Sequence, residues 1–249
     1  MKKNLGQNFL VDENIAELEV READIKKNDI VLEIGPGKGI LTKILAKKAK
    51  KVIAIELDEN LINNLKKTLP ENVDLIHNDA LKVDFRTLSK FNKIVSNLPF
   101  KISSPITFKL LDYDFELAIL IYQKEFAERL IANPGSKNYS RLSVGVYYKS
   151  KCEIIRTVPR TCFRPQPKVD SSMIRIVPRK SPPFVIVDEK FFFNLTKNLF
   201  NYRRKKIKNI LNNLYNLDLK NVPYLDNRVE ELSPSQIGKL SDVLYKMLI

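Results

Sequence analysis

The stretch Val31-Leu32-Glu33-Ile34-Gly35-Pro36-Gly37-Lys38-Gly39 places three glycines within five residues, in a chain of 249 residues that contains only seven. The apolar run at its start predicts a buried strand, and the amphipathic residues 40–50 predict a helix directly after it. Glycines at such a turn let the backbone approach a ligand closely, and the following helix presents free N–H groups. The stretch therefore predicts a strand, a turn and a helix that bind a nucleotide-like cofactor.

The same alternation of apolar runs and amphipathic segments continues along the chain, and it predicts a parallel α/β sheet with right-handed crossovers. The predicted strands are 31–34, 52–55, 73–76, 93–96 and 117–122, and the predicted helices are 40–50, 59–69, 105–111 and 124–131. Two further apolar runs, 142–148 and 152–158, predict an antiparallel edge of this sheet.

A proline-rich stretch marks the predicted domain boundary. Six of the 13 prolines fall between Pro159 and Pro183, and the pattern after Val187 is helical. We therefore expect one domain over residues 1–180 and a small all-α domain over residues 181–249, with helices near 188–200, 202–215 and 234–248.

The net charge of +14 suggests a polyanionic partner. Residues 149–208 carry 16 basic and four acidic side chains, so nearly the whole surplus lies in one segment.

No apolar run approaches the roughly 20 residues that span a bilayer. One histidine and two cysteines cannot build a Cys/His metal cluster or a disulfide scaffold, which favours a cytoplasmic protein without a metal.

Acidic residues follow the next two predicted strands. Glu56 ends the second strand and Asp79 follows the third, where open α/β sheets place ligands. A carboxylate at Glu56 can accept ribose hydroxyls, and Asp79 can accept an adenine amino group. The dehydrogenase fingerprint needs glycine at position 40, where this chain has Ile40. The spacing resembles motif I of S-adenosyl-L-methionine (AdoMet) methyltransferases instead.

The tetrapeptide Asn97-Leu98-Pro99-Phe100 follows the fourth strand and resembles the Asn/Asp-Pro-Pro-Tyr/Phe motif of enzymes that methylate exocyclic amino groups. Adenine N6 is a poor nucleophile because its lone pair is delocalised into the ring. The Asn97 side-chain oxygen and the Leu98 carbonyl can accept its two N–H bonds, which favours a tetrahedral nitrogen as the methyl group transfers. Pro99 would stiffen this loop, and Phe100 would stack on a flipped base.

The chain as a whole resembles the small-subunit ribosomal RNA adenine N6,N6-dimethyltransferases. Besides the features above, the similar segments are Leu5-Gly6-Gln7-Asn8-Phe9-Leu10, the helix 123–130, the loop 163–172 with its F-x-P-x-P-K-V-D-S-S pattern, and residues 228–233. The resemblance implies a Rossmann-like class I AdoMet-dependent methyltransferase domain followed by a helical domain that docks on RNA or the ribosome. The Asn, Lys and Ile content and Phe126 favour an archaeal member.

The resemblance also implies the residues of the site. It assigns AdoMet contacts to a set of seven residues: Asn8, Leu10, Gly35, Gly37, Glu56, Asp79 and Asn97. It assigns catalysis to residues 97–100, with Phe163 as a second stacking surface. Where some family members have tyrosine this chain has Phe100, a change that preserves stacking.

The implied substrate is a pair of adjacent adenosines in a hairpin near the 3′ end of small-subunit rRNA, each methylated twice in an immature subunit by a monomeric enzyme. The run Arg203-Arg204-Lys205-Lys206 is expected to contact RNA phosphates. Two other interpretations remain: an adenine N6-methyltransferase of large-subunit rRNA, and a non-enzymatic ribosome-assembly or transcription factor that retains the fold.

Overall fold

The computed structural model describes residues 7–215 and 217–249, and the chain forms two compact units. The sheet unit comprises Met1–Ala127 and Lys151–Pro178, and the helical unit comprises Glu128–Ser150 and Arg179–Ile249. This division differs from the single boundary expected after residue 180, because residues 128–150 pack with the C-terminal helices. None of the helices in the described ranges is both long enough and apolar enough to cross a bilayer.

Nine strands lie in these ranges. In chain order they are β1 (Phe9–Leu10), β2 (Ile30–Ile34), β3 (Lys51–Glu56), β4 (Val73–His77), β5 (Lys93–Asn97), β6 (Leu117–Gln123), β7 (Ser150–Val158), β8 (Phe163–Arg164) and β9 (Ser171–Pro178).

The same ranges contain nine α-helices. They are α1 (Glu13–Glu22), α2 (Ile40–Lys48), α3 (Glu59–Leu65), α4 (Ser103–Leu110), α5 (Lys124–Leu130), α6 (Arg141–Lys149), α7 (Glu189–Asn201), α8 (Ile207–Leu214) and α9 (Pro234–Leu248).

Seven strands form the main sheet in the order β4-β3-β2-β5-β6-β9-β7, and β1 pairs with β8 in a separate antiparallel ribbon. Strands β4 to β6 are parallel, with Val31 opposite Val52 and Ile94 opposite Ala118. The chain passes from β2 outward to β4 and then returns to the other side of β2 with β5. The carboxyl ends of β2 and β5 therefore flank the point where the strand order reverses, where such sheets bind ligands.

One predicted strand is a helix. Residues 142–148 lie in α6, where Ser143 and Gly145 are buried together with Leu142, Val144 and Val146. An edge strand with one solvent-facing side exposes alternate side chains, whereas this segment is surrounded by the apolar side chains of the helical unit and is buried on adjacent positions. Burial by the tertiary fold explains why its β-branched residues did not produce a strand.

The antiparallel neighbour of β6 is β9, which the sequence analysis placed within the proline-rich stretch. Six residues of β9 pair with β6, from Ser171 opposite Gln123 to Ile176 opposite Ala118. Residues 152–158 do form the edge strand β7, next to β9. The antiparallel edge is therefore present, but only one of its two strands was predicted.

The helical unit has its own apolar core, built from α6, α7, α8 and α9 around Phe192, Leu195 and Leu240. The helix expected over 202–215 begins only at Ile207. Residues 202–206 form a turn instead, and the backbone of Lys206 pairs with that of Arg228. The basic run therefore lies on a turn between two helices rather than on a helix.

Candidate active site

The glycine turn after β2 has the backbone geometry that only glycine adopts readily. Gly35, Gly37 and Gly39 have φ angles of 74°, 57° and 80°. A β-carbon on Gly37 would lie 2.9 Å from Cδ1 of Phe9, and one on Gly35 would lie 3.1 Å from Cγ of Pro99. The turn is thus packed between the N-terminal segment and the tetrapeptide, and there is no space for side chains at these two glycines.

Glu56 closes the turn from the end of β3. Its carboxylate accepts N–H groups from Gly37 at 3.2 Å, Leu57 at 2.8 Å and Asp58 at 2.9 Å. Burial raises the pKa of this carboxyl, although the three hydrogen bonds oppose the shift. Glu56 therefore fixes the turn as well as presenting a carboxylate to the cleft.

Glu33 is a second buried carboxyl of the cleft that the sequence analysis did not assign. Burial, and to a lesser extent the charge of Glu56, raise the pKa of Glu33 to about 8, although the nearby Thr42 hydroxyl opposes the shift. Its Oε2 atom has no hydrogen-bond partner in the described part of the chain. The sequence signal for this residue was its position as an acidic side chain two residues before Gly35, within an apolar strand.

The tetrapeptide lies at the end of β5, beside the glycine turn. The side-chain oxygen of Asn97 is buried and has no hydrogen-bond partner among the described residues. Such an orphaned acceptor costs stability unless a ligand satisfies it. Leu98 is buried, and Phe100 is half-buried at the start of a short 3₁₀ helix over Phe100–Ile102. The arrangement leaves one amide acceptor for a donor that enters the cleft.

A chain of hydroxyl groups supports the tetrapeptide from behind. Ser103 Oγ donates to the Phe100 carbonyl at 3.0 Å, and Thr107 Oγ1 donates to the Ser103 carbonyl at 2.6 Å. The Thr107 hydroxyl also lies 2.7 Å from that of Tyr122, which is fully buried in β6. These bonds tie the loop at Phe100 to the central sheet.

The N-terminal segment forms the opposite wall. Phe9 and Leu10 pair with Arg164 and Phe163, and Asn8 Nδ2 donates to the Pro165 carbonyl at 2.6 Å. The predicted cofactor residues Asn8 and Leu10 are thus held next to the glycine turn by the 163–165 loop.

Together these elements enclose a cleft of about 640 Å³, including its open mouth. Nine of the eleven residues predicted for catalysis or cofactor binding line it: Asn8, Leu10, Gly35, Gly37, Glu56, Asn97, Leu98, Pro99 and Phe100. The others in the lining are Gln7, Phe9, Glu33, Pro36, Lys38, Ile40 and Leu41. Of these, Gln7, Phe9, Glu33, Pro36 and Lys38 lie in motifs quoted above but were given no role.

Two predicted residues are not part of this lining. Asp79 accepts the Leu81 N–H at 2.9 Å in the turn after β4. Phe163 is fully buried in the core of the sheet unit, so its ring has no free face for a base. The predicted stacking role of Phe163 does not fit this structure, because the β1–β8 pairing directs its ring into the core.

The four residues of the predicted RNA-contacting run, Arg203 to Lys206, differ in their contacts and exposure. Arg203 pairs with Glu230 at 2.6 Å and donates to the carbonyl of Lys137 at 3.0 Å. Lys206 forms an exposed ion pair with Asp226 at 3.1 Å, and the amine of Lys205 lies over the Tyr202 ring. Arg203 is therefore held by partners within the helical unit, whereas Arg204 and Lys205 are exposed on the turn.

The cleft fits AdoMet on three observations: two buried oxygens without partners, at Glu33 and Asn97, and a glycine turn that a β-carbon would fill. Among residues 7–215 and 217–249 no three His, Cys, Asp or Glu side chains converge as metal ligands. The fold and this cleft define a class I AdoMet-dependent methyltransferase with a C-terminal helical region.

The chain belongs to the ribosomal RNA adenine dimethylase family, whose family model matches residues 1–246. It is 46% identical to a probable ribosomal RNA small subunit methyltransferase A of the archaeon Methanococcus aeolicus, over 99% of this chain and 97% of that protein. This family is AdoMet-dependent, and the archaeal relative agrees with the expected archaeal affiliation.

Two solved structures are similar over nearly the whole chain. A dimethyladenosine transferase from Plasmodium falciparum has a TM-score of 0.83 and 33% identity, covering 97% of this chain and 98% of that one. The 23S rRNA methyltransferase ErmE has a TM-score of 0.71 and 26% identity, covering 96% of this chain and all of that one.

Proposed function

We propose that this protein transfers methyl groups from AdoMet to N6 of two adjacent adenosines in a hairpin near the 3′ end of small-subunit rRNA. Two transfers to each adenosine would yield N6,N6-dimethyladenosine. The observation that carries the proposal is the buried, unpartnered Asn97 side-chain oxygen at the carboxyl end of β5, next to the glycine turn. An acceptor in that position recognises an amino group that enters the cleft.

The chain's own groups would act on the target nitrogen. In the first transfer, Asn97 Oδ1 and the Leu98 carbonyl would accept the two N–H bonds of N6, so that its lone pair turns away from the ring and toward the methyl donor. In the second transfer, one N–H remains for one of these acceptors. AdoMet supplies an electrophilic methyl group on sulfur when it is bound. Once methylated, the target nitrogen held by these acceptors would lose a proton to solvent. No general base is required, because the methylated amine is acidic.

The cofactor contacts are proposed for the cleft residues. Glu56 has hydrogen-bonding capacity left beyond its three backbone donors and would accept ribose hydroxyls. Glu33 and Asn8 lie on the walls of the same cleft, where the methionine end of AdoMet would fit. Asp79 would contact the adenine amino group only if the cofactor extends beyond the residues that line the cleft.

The target base would stack on Phe100, the half-buried last residue of the tetrapeptide, which lines the cleft. Base–aromatic stacking contributes about 1–3 kcal/mol. We further propose that the helical unit contacts RNA phosphates through Arg204 and Lys205, and that a monomeric enzyme acts in the cytoplasm on an immature small subunit.

A small-subunit target is preferred over a large-subunit one. The small-subunit methyltransferase of Methanococcus aeolicus is 46% identical to this chain, whereas the 23S rRNA enzyme ErmE is 26% identical. A non-enzymatic role is disfavoured, because the acceptor at Asn97 is retained without any structural partner among the described residues.

The direct test is to incubate the protein with isotopically labelled AdoMet and unmethylated small subunits, followed by nucleoside mass spectrometry. We expect labelled dimethyladenosine in small-subunit rRNA, in adjacent positions. Large subunits treated in parallel provide the control. Label in large-subunit RNA alone would contradict the proposed substrate, and absence of label in both would contradict the proposed activity.

A further inference from the structure

The loop between β7 and β9 presents two arginines beside the cleft. Arg160 and Arg164 are exposed, and neither forms an ion pair with any residue in 7–215 or 217–249. We call residues 159–168 the arginine loop; exposed Lys168 adds a third cation. Its charge belongs to the sheet unit, not to the helical unit that carries the predicted RNA-binding run.

The guanidinium groups are held in place by their own loop. Arg164 Nη1 donates to the carbonyls of Thr161 at 3.2 Å and Phe163 at 2.9 Å. Arg160 Nη1 makes a longer contact of 3.4 Å with the Lys168 carbonyl. Because one nitrogen of each fork is anchored, the other N–H groups remain available in a fixed orientation, which suits bidentate binding of phosphate.

The nearby carboxylates of Asp170 and Asp12 accept backbone N–H groups and not the guanidinium groups. Asp170 accepts the backbone N–H of Arg160 at 2.9 Å, and Asp12 accepts the N–H of Asn14 at 2.9 Å and contacts Cys162 Sγ at 3.4 Å. Arg175 on β9, by contrast, is neutralised by Glu22 and Glu153. Arg160 and Arg164 therefore keep their positive charge available to a ligand.

The arginine loop is physically attached to the wall of the cleft. Arg164 is paired with Phe9, which packs on Gly37, and the Pro165 carbonyl accepts a hydrogen bond from Asn8. A base that enters the cleft carries its sugar and phosphates to the mouth of the cleft, which Asn8 and Phe9 help to line.

From these observations we infer that Arg160 and Arg164 form a phosphate-binding subsite of the sheet unit, which holds the RNA backbone next to the target adenosine. The inference rests on the proposed function for the identity of the RNA. It assigns part of RNA binding to the unit that contains the cleft, within the basic segment 149–208, in addition to the run 203–206 of the helical unit.

The test compares three paired variants in binding to a labelled RNA hairpin with two adjacent loop adenosines, over a series of salt concentrations. The double variant Arg160→Gln and Arg164→Gln removes both positive charges. The double variant Arg160→Lys and Arg164→Lys keeps both charges but lacks the planar guanidinium donors. The matched control is Lys66→Gln with Lys67→Gln, which removes two exposed charges after α3. AdoMet affinity, measured by calorimetry, reports whether the cleft is intact.

We expect the glutamine pair to weaken RNA binding about tenfold or more and to reduce the salt slope by roughly 1.4 to 1.8, as expected for two lost phosphate contacts. The lysine pair should keep most of the slope but lose affinity, and the control pair should match the unaltered protein. AdoMet affinity should stay within about twofold in all variants. Equal RNA affinity and slope in the glutamine and control pairs would overturn the inference.

The nucleoside assay on the unaltered protein separates this inference from the proposed function. If dimethyladenosine forms but the glutamine pair does not affect RNA binding, the subsite proposal is wrong and the proposed function stands. A glutamine-pair defect in RNA binding without dimethyladenosine formation would remove the function and leave the subsite. An unaltered protein that does not bind the hairpin would contradict the subsite, whereas the nucleoside assay on small subunits alone decides the proposed function.

Discussion

The ring of Pro99 packs over the α-carbon of Gly35, so that a β-carbon at residue 35 would lie 3.1 Å from Pro99 Cγ and 3.2 Å from Cδ. This contact joins the two motifs that the sequence analysis singled out, the glycine turn and the tetrapeptide. Any displacement of the turn is therefore transmitted to the loop that carries Asn97.

Gly35→Ala should lower methyl-transfer activity by more than its loss of stability accounts for. The φ of 74° costs an alanine about 1–2 kcal/mol, and its methyl group also pushes against Pro99. Gly135→Ala is the matched control, since it has a φ of 79° but no atom within 4 Å of the added carbon. Gly35→Ala should lose at least as much stability as Gly135→Ala in thermal unfolding, but only Gly35→Ala should lose methyl transfer and AdoMet affinity. Equal activities would show that the Pro99 contact is unimportant.

Asn97→Ala should abolish most methyl transfer while AdoMet still binds, because the side chain acts mainly on the target nitrogen. Loss of one preorganised acceptor of this kind typically lowers kcat about 100- to 1000-fold. Single-turnover rates and AdoMet calorimetry measure the two effects separately. Asn64→Ala, at an exposed position of α3, should leave both unchanged. Near-normal turnover in Asn97→Ala would refute the mechanism.

Removal of the hydroxyl chain behind the tetrapeptide should lower kcat without changing AdoMet affinity. Thr107→Val and Tyr122→Phe each break the 2.7 Å contact between the two hydroxyls, and the expected loss is about threefold to tenfold, as for one buried hydrogen bond. Tyr139→Phe loses a comparable buried hydroxyl, bonded at 2.9 Å to the Leu232 carbonyl in the helical unit. That control should be destabilised with kcat retained, and a similar kcat loss there would point to a general effect of destabilisation.

Glu19 should make the protein less stable as the pH rises. Its carboxyl is fully buried without hydrogen-bond partners among the described residues, so burial, and then the charge of Glu33, raise its pKa well above the ordinary 4.5. A raised pKa in the folded state contributes stability below about pH 4.5 that is lost as the pH rises through the folded pKa.

Glu19→Gln should therefore flatten the pH dependence of the free energy of unfolding, and Glu19→Met should add about 1–3 kcal/mol near pH 8. Denaturant unfolding between pH 5 and 9 measures both effects, with exposed Glu17→Gln on the same helix as the control. Glu33 would leave a residual slope in the variants because its pKa is raised to about 8. A pH dependence equal to that of the unaltered protein would show that Glu19 does not titrate in this way.

Arg203 and Arg204 should behave differently despite being adjacent. Arg203→Gln breaks the Glu230 ion pair and the bond to the Lys137 carbonyl, and we expect a loss of about 1–2 kcal/mol in unfolding free energy. Arg204→Gln should leave stability unchanged and weaken RNA binding with a smaller salt slope. Thermal unfolding and salt-dependent RNA binding together distinguish the two. If both variants change RNA binding equally at full stability, Arg203 contacts RNA directly.

The sequence by itself determined the parallel half of the sheet and most of the cleft. Local patterns predict β2 to β6 because each strand is an apolar run next to an amphipathic helix. Motif residues such as Gly35, Glu56 and Asn97 follow strand ends, and parallel strands bring their carboxyl ends to one edge. Order along the chain and the handedness of crossovers were enough to place these residues together.

Only the tertiary structure decided the features that depend on partners distant in sequence. The segment 142–148 is a helix because the helical unit buries it, and Phe163 is inaccessible because Leu10, more than 150 residues earlier, pairs with it. The sequence likewise does not show which arginine side chains are neutralised by an acidic partner. Glu230 neutralises Arg203, whereas Arg160 and Arg164 have no acidic partner in the described part of the chain. Charge and apolar pattern are local properties of a sequence, but burial and neutralisation depend on which distant residues meet.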